Sequence, residues 1–595
     1  MRKTIFALLL VTAGSVGAQD SPARVQPEWI AKSNEEAQQL LDVYARFYPE
    51  MAGALGVAGL DSRVIDLGPA LSERVQAAFR ATARDLEEQS ATSMDPRVRQ
   101  DIEILRQDAL LQADVATANQ RYLLPDFDVA EQVYSGIRAL LTAQVATERQ
   151  PAALTRLQRY AGLEAGYTPL AVQAEAQVRE QLATPGLLFP FRADLEQQLT
   201  NSTSYLDGVA ELLDQYKIRG GDKALKELRL QVAAWNDFLR REVLPKTRED
   251  FRLPAELYAL RLREVGVDIP PAELAARARI SFMEIRNQMF ALAPVVARDL
   301  GLSATDYPGV IRELRSRQVP AEATVPLYRE RLAALEKIIR QDDIVSLPDR
   351  EAIIRLATAA ESASVPAPQM KPPPFVNNQG EQGEFVLPLT MPPVDGKSVP
   401  GRLEDFTFDA VTWTLTAHEA RPGHELQFAS MVKNGVSLAR ALFAFNSVNV
   451  EGWALYAEAE VQPYLPLDGQ LIALQFRLLR AARAFLDPGL QQGTISLAEA
   501  RRILTTEVVV TDAMAEQELQ RYTFRAPGQA TSYFYGYQRL LGLRANTEIR
   551  LGERFDRRRF HDFVLAQGLL APDQLAKAVN DEFVPTELQR DRAAE

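Results

Sequence analysis

Residues 96–123, PRVRQDIEILRQDALLQADVATANQRYL, place Ile102, Leu105, Ala109, Leu110 and Ala113 at three- and four-residue steps between charged or polar positions. That spacing describes a long amphipathic helix with one core-facing stripe. The same pattern, broken by Pro, Gly or Asp, fills the chain from about Asn34 to about Arg248. It resumes from Pro270 to about Ala360, and again from about Phe408 to the C-terminus. A mainly α fold follows.

One segment breaks the pattern. Residues 366–400 hold nine prolines, including Pro372-Pro373-Pro374, together with Gly380, Gly383 and Gly396. Proline at this density excludes helix. Within it, Glu384-Phe385-Val386-Leu387 predicts a short strand that Pro388 restricts to a sheet edge, where an extended peptide could pair with it. The expected organisation is a leader over 1–18, a helical N-terminal part over 19–365, an extended segment over 366–403 and a helical part over 404–595. No repeat or biased linker separates these parts, so two intimately packed halves forming one unit are expected.

At the N-terminus, Arg2 and Lys3 precede an apolar run from Ile5 to Ala13 and the small residues Val16-Gly17-Ala18. This is a signal-peptide pattern with a cut after about Ala18, implying a periplasmic or extracellular protein. The run is too short to span a bilayer, and no later stretch qualifies. With no cysteine, thiolate zinc sites and Cys nucleophiles are excluded. A net charge of −12, more negative still without Arg2 and Lys3, argues against nucleic acid as a partner. The oligomeric state stays open.

Two of the three histidines fall in His418-Glu419-Ala420-Arg421-Pro422-Gly423-His424. An H-E-x-x-H zinc helix sets its imidazoles four residues apart on one face. Here the spacing is six, which on a regular helix puts the rings about 120° apart and forbids chelation. Pro422 and Gly423 can interrupt the helix and bring His424 back. The next acidic cluster on a helical pattern, Val450-Glu451-Gly452-Trp453-Ala454-Leu455-Tyr456-Ala457-Glu458, supplies a third ligand, for which Glu451 is the choice. Glu458 shares its helical phase and either supports the site from behind or faces solvent, the more common fate of such a charge. Two His and one Glu suit Zn2+ and leave a fourth position for water, with Glu419 as the general base. Further on, Arg525 to Tyr537 concentrates three tyrosines beside two glycines, where a phenol could stabilise an oxyanion or simply pack.

HEARPGHELQ, EGWALYAE, PGQATSYFYG and FHDFVLAQG together resemble the bacterial "domain of unknown function 885" family, closely over the C-terminal third. That family looks like a relative of helical Glu-zincin peptidases. The resemblance implies a large multi-helix zincin-like fold, with a short β or irregular segment flanking an active-site cleft. It also implies metal at His418, His424 and Glu451, Glu419 as base, and Tyr533, at the family's PGQAxxY position, as catalytic donor. A zinc peptidase acting on short peptides is the expected function; a zinc hydrolase of another amide or ester, or an inactive binding protein of the same fold, are the alternatives. His561 is expected to be structural. Arg521 and Arg539 are expected in surface ion pairs, with a substrate carboxylate as their other use.

Overall fold

A computed structural model describes residues 27–142, 144–391 and 401–590; the leader lies outside them. The protein is mainly α-helical. Among the described residues no helix is long and apolar enough to cross a membrane.

Helix α1 (Pro96–Tyr122) shows how the sequence specifies these elements. The Asp95 side chain accepts from the Arg97 amide and Pro96 occupies the first turn, so the start is capped twice over. Ile102, Leu105, Ala109 and Ala113 are buried as the stripe requires, but Leu110 is exposed. It follows Ala109 by about 100° of helical rotation and so leaves the stripe.

The helices that build the site come later in the chain. They are α2 (Pro271–Leu300), α3 (Ala321–Gln341), α4 (Val411–Leu415), α5 (His424–Asn434), α6 (Ser447–Val461), α7 (Leu467–Gln491), α8 (Asp512–Gln520), α9 (Ser532–Leu551) and α10 (Arg557–Ala566). Helix α7 is the central member. It packs along α2 on one side and against α4 and α9 on others, so most of its length is buried. One large apolar core runs from Ala37 to Val584 through both halves of the sequence, with two small clusters beside it.

The small sheet corrects two expectations. Strand β1 (Ile353–Leu356) lies where helix was expected up to Ala360; α3 stops at Gln341, and the β-branched pair Ile353-Ile354 pairs in parallel with β3 (Glu384–Leu387). Strand β2 (Gln369–Lys371) pairs antiparallel on the other side. The order β1-β3-β2 therefore makes Glu384–Leu387 the central strand, buried at all four residues, and not the edge that Pro388 suggested. Pro388 follows the last ladder position and so costs the sheet nothing. The strand that borders the histidine segment is β2.

Candidate metal centre

The segment carrying His418 is not a regular helix. Helix α4 ends at Leu415 and continues as one wide π-type turn over Thr416–Ala420. The chain then leaves helical geometry at Arg421, passes a cis Arg421–Pro422 bond, and starts α5 at His424. The interruption that the six-residue spacing demanded is present. Gly423 packs directly on the turn it closes: a Cβ there would lie 1.9 Å from the His418 carbonyl oxygen. The Trp453 indole N–H locks the turn by donating to the Pro422 and Gly423 carbonyls at 3.0 and 3.3 Å.

With the turn so folded, the two imidazoles meet edge to face, with ring centroids 4.7 Å apart. Glu451, from α6, completes the group: its Oε2 lies 3.4 Å from His418 Nε2 and 3.4 Å from His424 Nε2. That oxygen is buried and makes no hydrogen bond. The separation is long for a hydrogen bond but matches the edge of a tetrahedron with metal–ligand bonds of about 2.0–2.1 Å. His418, His424 and Glu451 are thus a donor set that fits zinc, and among the described residues they form the one such cluster. Burial opposes ionisation of Glu451, yet the two imidazoles hold its carboxyl well below the usual range.

Glu458, expected more often in solvent, is buried behind the cluster. Its Oε1 takes the His418 Nδ1 proton at 2.7 Å, and Thr414 donates to its other oxygen. A carboxylate in this position fixes the tautomer that presents Nε2 to a metal. Against the cost of burial, Glu451 and Glu458 together raise the His418 pKa to about 9, so a metal binding at Nε2 would displace a proton from that nitrogen. Glu419 is buried beside the triad and receives the Met370 amide of β2. Burial pushes its carboxyl up, Glu451 adds to this, and the two histidines and Met370 oppose it. A carboxylate with its proton affinity raised in this way is suited to accept a proton.

Tyr533 also reaches this place. Its ring stacks on His418 at 6.2 Å and 15°, and its hydroxyl accepts from Arg521 Nη2 at 2.9 Å, which leaves the phenol proton free to donate. Tyr535 turns away to Asp268, and Tyr537 lies against Arg477. Contact between two glycines sets the spacing of α6 and α9: a Cβ on Gly452 would sit 2.6 Å from the Gly536 backbone, and one on Gly536 would sit 1.9 Å from the Val448 carbonyl oxygen. Each residue of Glu451-Gly452-Trp453 therefore has a task, as ligand, helix contact and turn lock.

Arg521 is drawn in from the open surface, and its ion pair with Glu518 is a long one at 3.9 Å. It binds the neutral Gln529 Oε1 and Tyr533 hydroxyl. Arg539 stays away from the triad, on Asp573, Asp268 and the Tyr535 hydroxyl. His561 is buried, with Nε2 at 2.7 Å from the Tyr456 hydroxyl and Nδ1 at 2.7 Å from the Ile344 carbonyl. Sequence reasoning missed Arg480, Arg483 and Asp487 of α7. Their three- and four-residue spacing in an apolar stretch was the available signal. Asp487 accepts from the Gly528 amide at 2.9 Å, and so ties down the left-handed turn before α9. Also missed was the buried network in which Arg421 binds Glu425 and Glu336 while Arg350 binds Glu425.

Fold and site together define a mainly helical protein with a buried His2Glu cluster and an adjacent carboxylate. The chain belongs to the family described as bacterial proteins of unknown function, DUF885, whose model matches residues 49–579. Two solved structures share the fold. A candidate lipoprotein of unknown function from Shewanella oneidensis aligns with TM-score 0.68 and 18% identity, over 93% of this chain and 100% of that one. A candidate lipoprotein from Colwellia psychrerythraea aligns with TM-score 0.75 and 17% identity, over 93% of this chain and 99% of that one. No curated protein matches the chain.

Proposed function

We propose that the chain is an exported zinc-dependent peptidase acting on short peptides. The observation that carries this reading is the orphaned Glu451 Oε2, equidistant from two imidazole nitrogens, with Glu419 buried beside it. Bound by His418, His424 and Glu451, zinc would supply the Lewis acidity that polarises a carbonyl and acidifies water. Glu419 accepts the water proton on its carboxylate and passes it to the leaving amine. The Tyr533 hydroxyl, its oxygen already held by Arg521, donates its proton into a hydrogen bond to the developing oxyanion. Glu458 keeps His418 in the tautomer that leaves Nε2 unprotonated. The leader-like first 18 residues, and the description of both structural relatives as candidate lipoproteins, support export.

Zinc analysis with a peptide-library digest tests the reading. One zinc per chain is expected, lost in His418→Ala and His424→Ala. Glu419→Gln should keep the metal and lose hydrolysis by orders of magnitude, because an amide cannot take the water proton. Zinc-loaded protein that cleaves other amides or esters but no peptide would move the assignment to another hydrolase. Zinc retained in the double histidine variant would remove the site.

A further inference from the structure

Three arginines surround the Tyr533 ring. The guanidinium carbons of Arg480, Arg483 and Arg521 lie 5.9, 4.7 and 5.3 Å from its centroid. Two carboxylates among the described residues come within 4.0 Å of them, while Glu451 and Asp487 act on Arg480 or Arg521 from farther away. Glu518 binds Arg483 with both oxygens, at 2.8 and 2.6 Å, and also accepts from Tyr522. Its distance to Arg521 is 3.9 Å. Glu458 is already shared by His418 and Thr414, and reaches Arg480 only at 3.5 Å.

Within ion-pair distance the cluster therefore sets three guanidinium groups against two carboxylates. Arg521 hydrogen-bonds only the neutral groups of Gln529 and Tyr533, and its side chain keeps 26% of its exposure. Arg480 is 5% exposed, and its Nε and Nη1 have no partner. A guanidinium at such depth, bonded only through Nη2 to Glu458 at 3.5 Å, is costly unless a further acceptor arrives to meet it. Glu451 acts on both Arg480 and Arg521, but it is also the carboxylate that would hold the metal. Since the Tyr533 ring touches both His418 and the arginines, this positive charge lies within about 12 Å of the triad, the reach of some three extended residues.

Resting on the peptidase reading, we propose that Arg521 and Arg480 form a carboxylate-binding subsite beside the triad. Its ligand is the free C-terminal carboxylate of a short peptide, which ends within about three residues of the bond to be cut. Arg521, the accessible member, makes the contact, and Arg480, with Nε and Nη1 unbonded, supplies further positive charge behind it. The subsite selects peptide ends over the interiors of folded proteins.

The test is calorimetric binding to zinc-loaded Glu419→Gln protein, which removes turnover from the measurement. Three probes are compared: Ala-Ala-Ala as the free acid, the same tripeptide as its C-terminal amide, and Ala-Glu-Ala amide. The free acid should bind at least tenfold tighter than either amide. Adding Arg521→Gln should bring it down to the level of Ala-Ala-Ala amide with zinc content unchanged, and Arg521→Lys should restore part of the difference. Equal affinity of acid and amide, no binding of either, or an advantage that survives Arg521→Gln would each overturn the subsite. Ala-Glu-Ala amide matching the acid would overturn the assignment to the main-chain terminus. Cleavage assays on the wild-type protein keep the two ideas apart. Preferential binding of an acid that is never cleaved sinks the peptidase and leaves the subsite, whereas equal cleavage of acid and amide does the reverse.

Discussion

Replacing Gly536 by alanine separates metal binding from the placement of Tyr533. The three metal-ligand candidates lie on one side of the α6–α9 contact, in the turn after α4, in α5 and in α6. Tyr533 lies on the other, three residues before Gly536 in α9. An alanine Cβ would stand 1.9 Å from the Val448 carbonyl oxygen and 2.7 Å from the Gly452 Cα, both backbone atoms. A carbon normally keeps about 3.3–3.6 Å from a carbonyl oxygen, so the helices must part by at least about 1 Å. Alanine gains about 1 kcal/mol of helix propensity over glycine. Overpacking costs about 1–3 kcal/mol, and two backbones in contact place this case at the upper end. The expected net loss of stability is about 1–2 kcal/mol. Displacing Tyr533 from His418 by about 1 Å should lower kcat/KM by about 100-fold. Zinc content, by plasma emission, should stay at that of the wild type. Chemical denaturation and peptide hydrolysis complete the assay. Wild-type turnover would refute the idea that the glycine contact sets the donor, and loss of zinc would show that the contact does not separate ligands from donor.

Two further outcomes follow from the groups around the site. Glu458→Gln keeps the shape behind His418 but removes the charge, and should weaken zinc binding about 10- to 100-fold in a chelator competition; unchanged affinity would remove Glu458 as the orienting group. His561 is held neutral by burial, with its pKa lowered to about 3. The unfolded chain therefore takes up this proton first, so stability is full above about pH 6.5 and falls by about 1.4 kcal/mol per pH unit as pH drops toward 3. His561→Gln lacks this term, so wild type should lose about 2 kcal/mol more than the variant between pH 6.5 and 5. Parallel denaturation curves for the two would contradict it.

Much of this protein could be read from the chain alone. The helical class follows from apolar spacing such as Ile102, Leu105, Ala109 and Ala113, because a helix buries a periodic face wherever it packs. The break between His418 and His424 was also legible, since six residues of regular helix cannot aim two imidazoles at one point and Pro422-Gly423 offers the way out. What the periodicity could not decide was which partner each polar or extended segment would meet. Glu458 could as well have faced water as His418, because helical phase fixes a direction but not what stands there. Glu384–Leu387 became a central strand because Ile353–Leu356 and Gln369–Lys371 closed on it from both sides. Pro388 constrains only its own backbone position. Arg480, Arg483 and Arg521 come from α7 and the turn after α8, and only the packing of those elements around Tyr533 gathers their charges. Local sequence thus determined backbone conformation and the candidate ligands, through sterics and periodicity. The tertiary structure decided which charges are buried together, because burial and pairing belong to contacts between segments far apart in the chain.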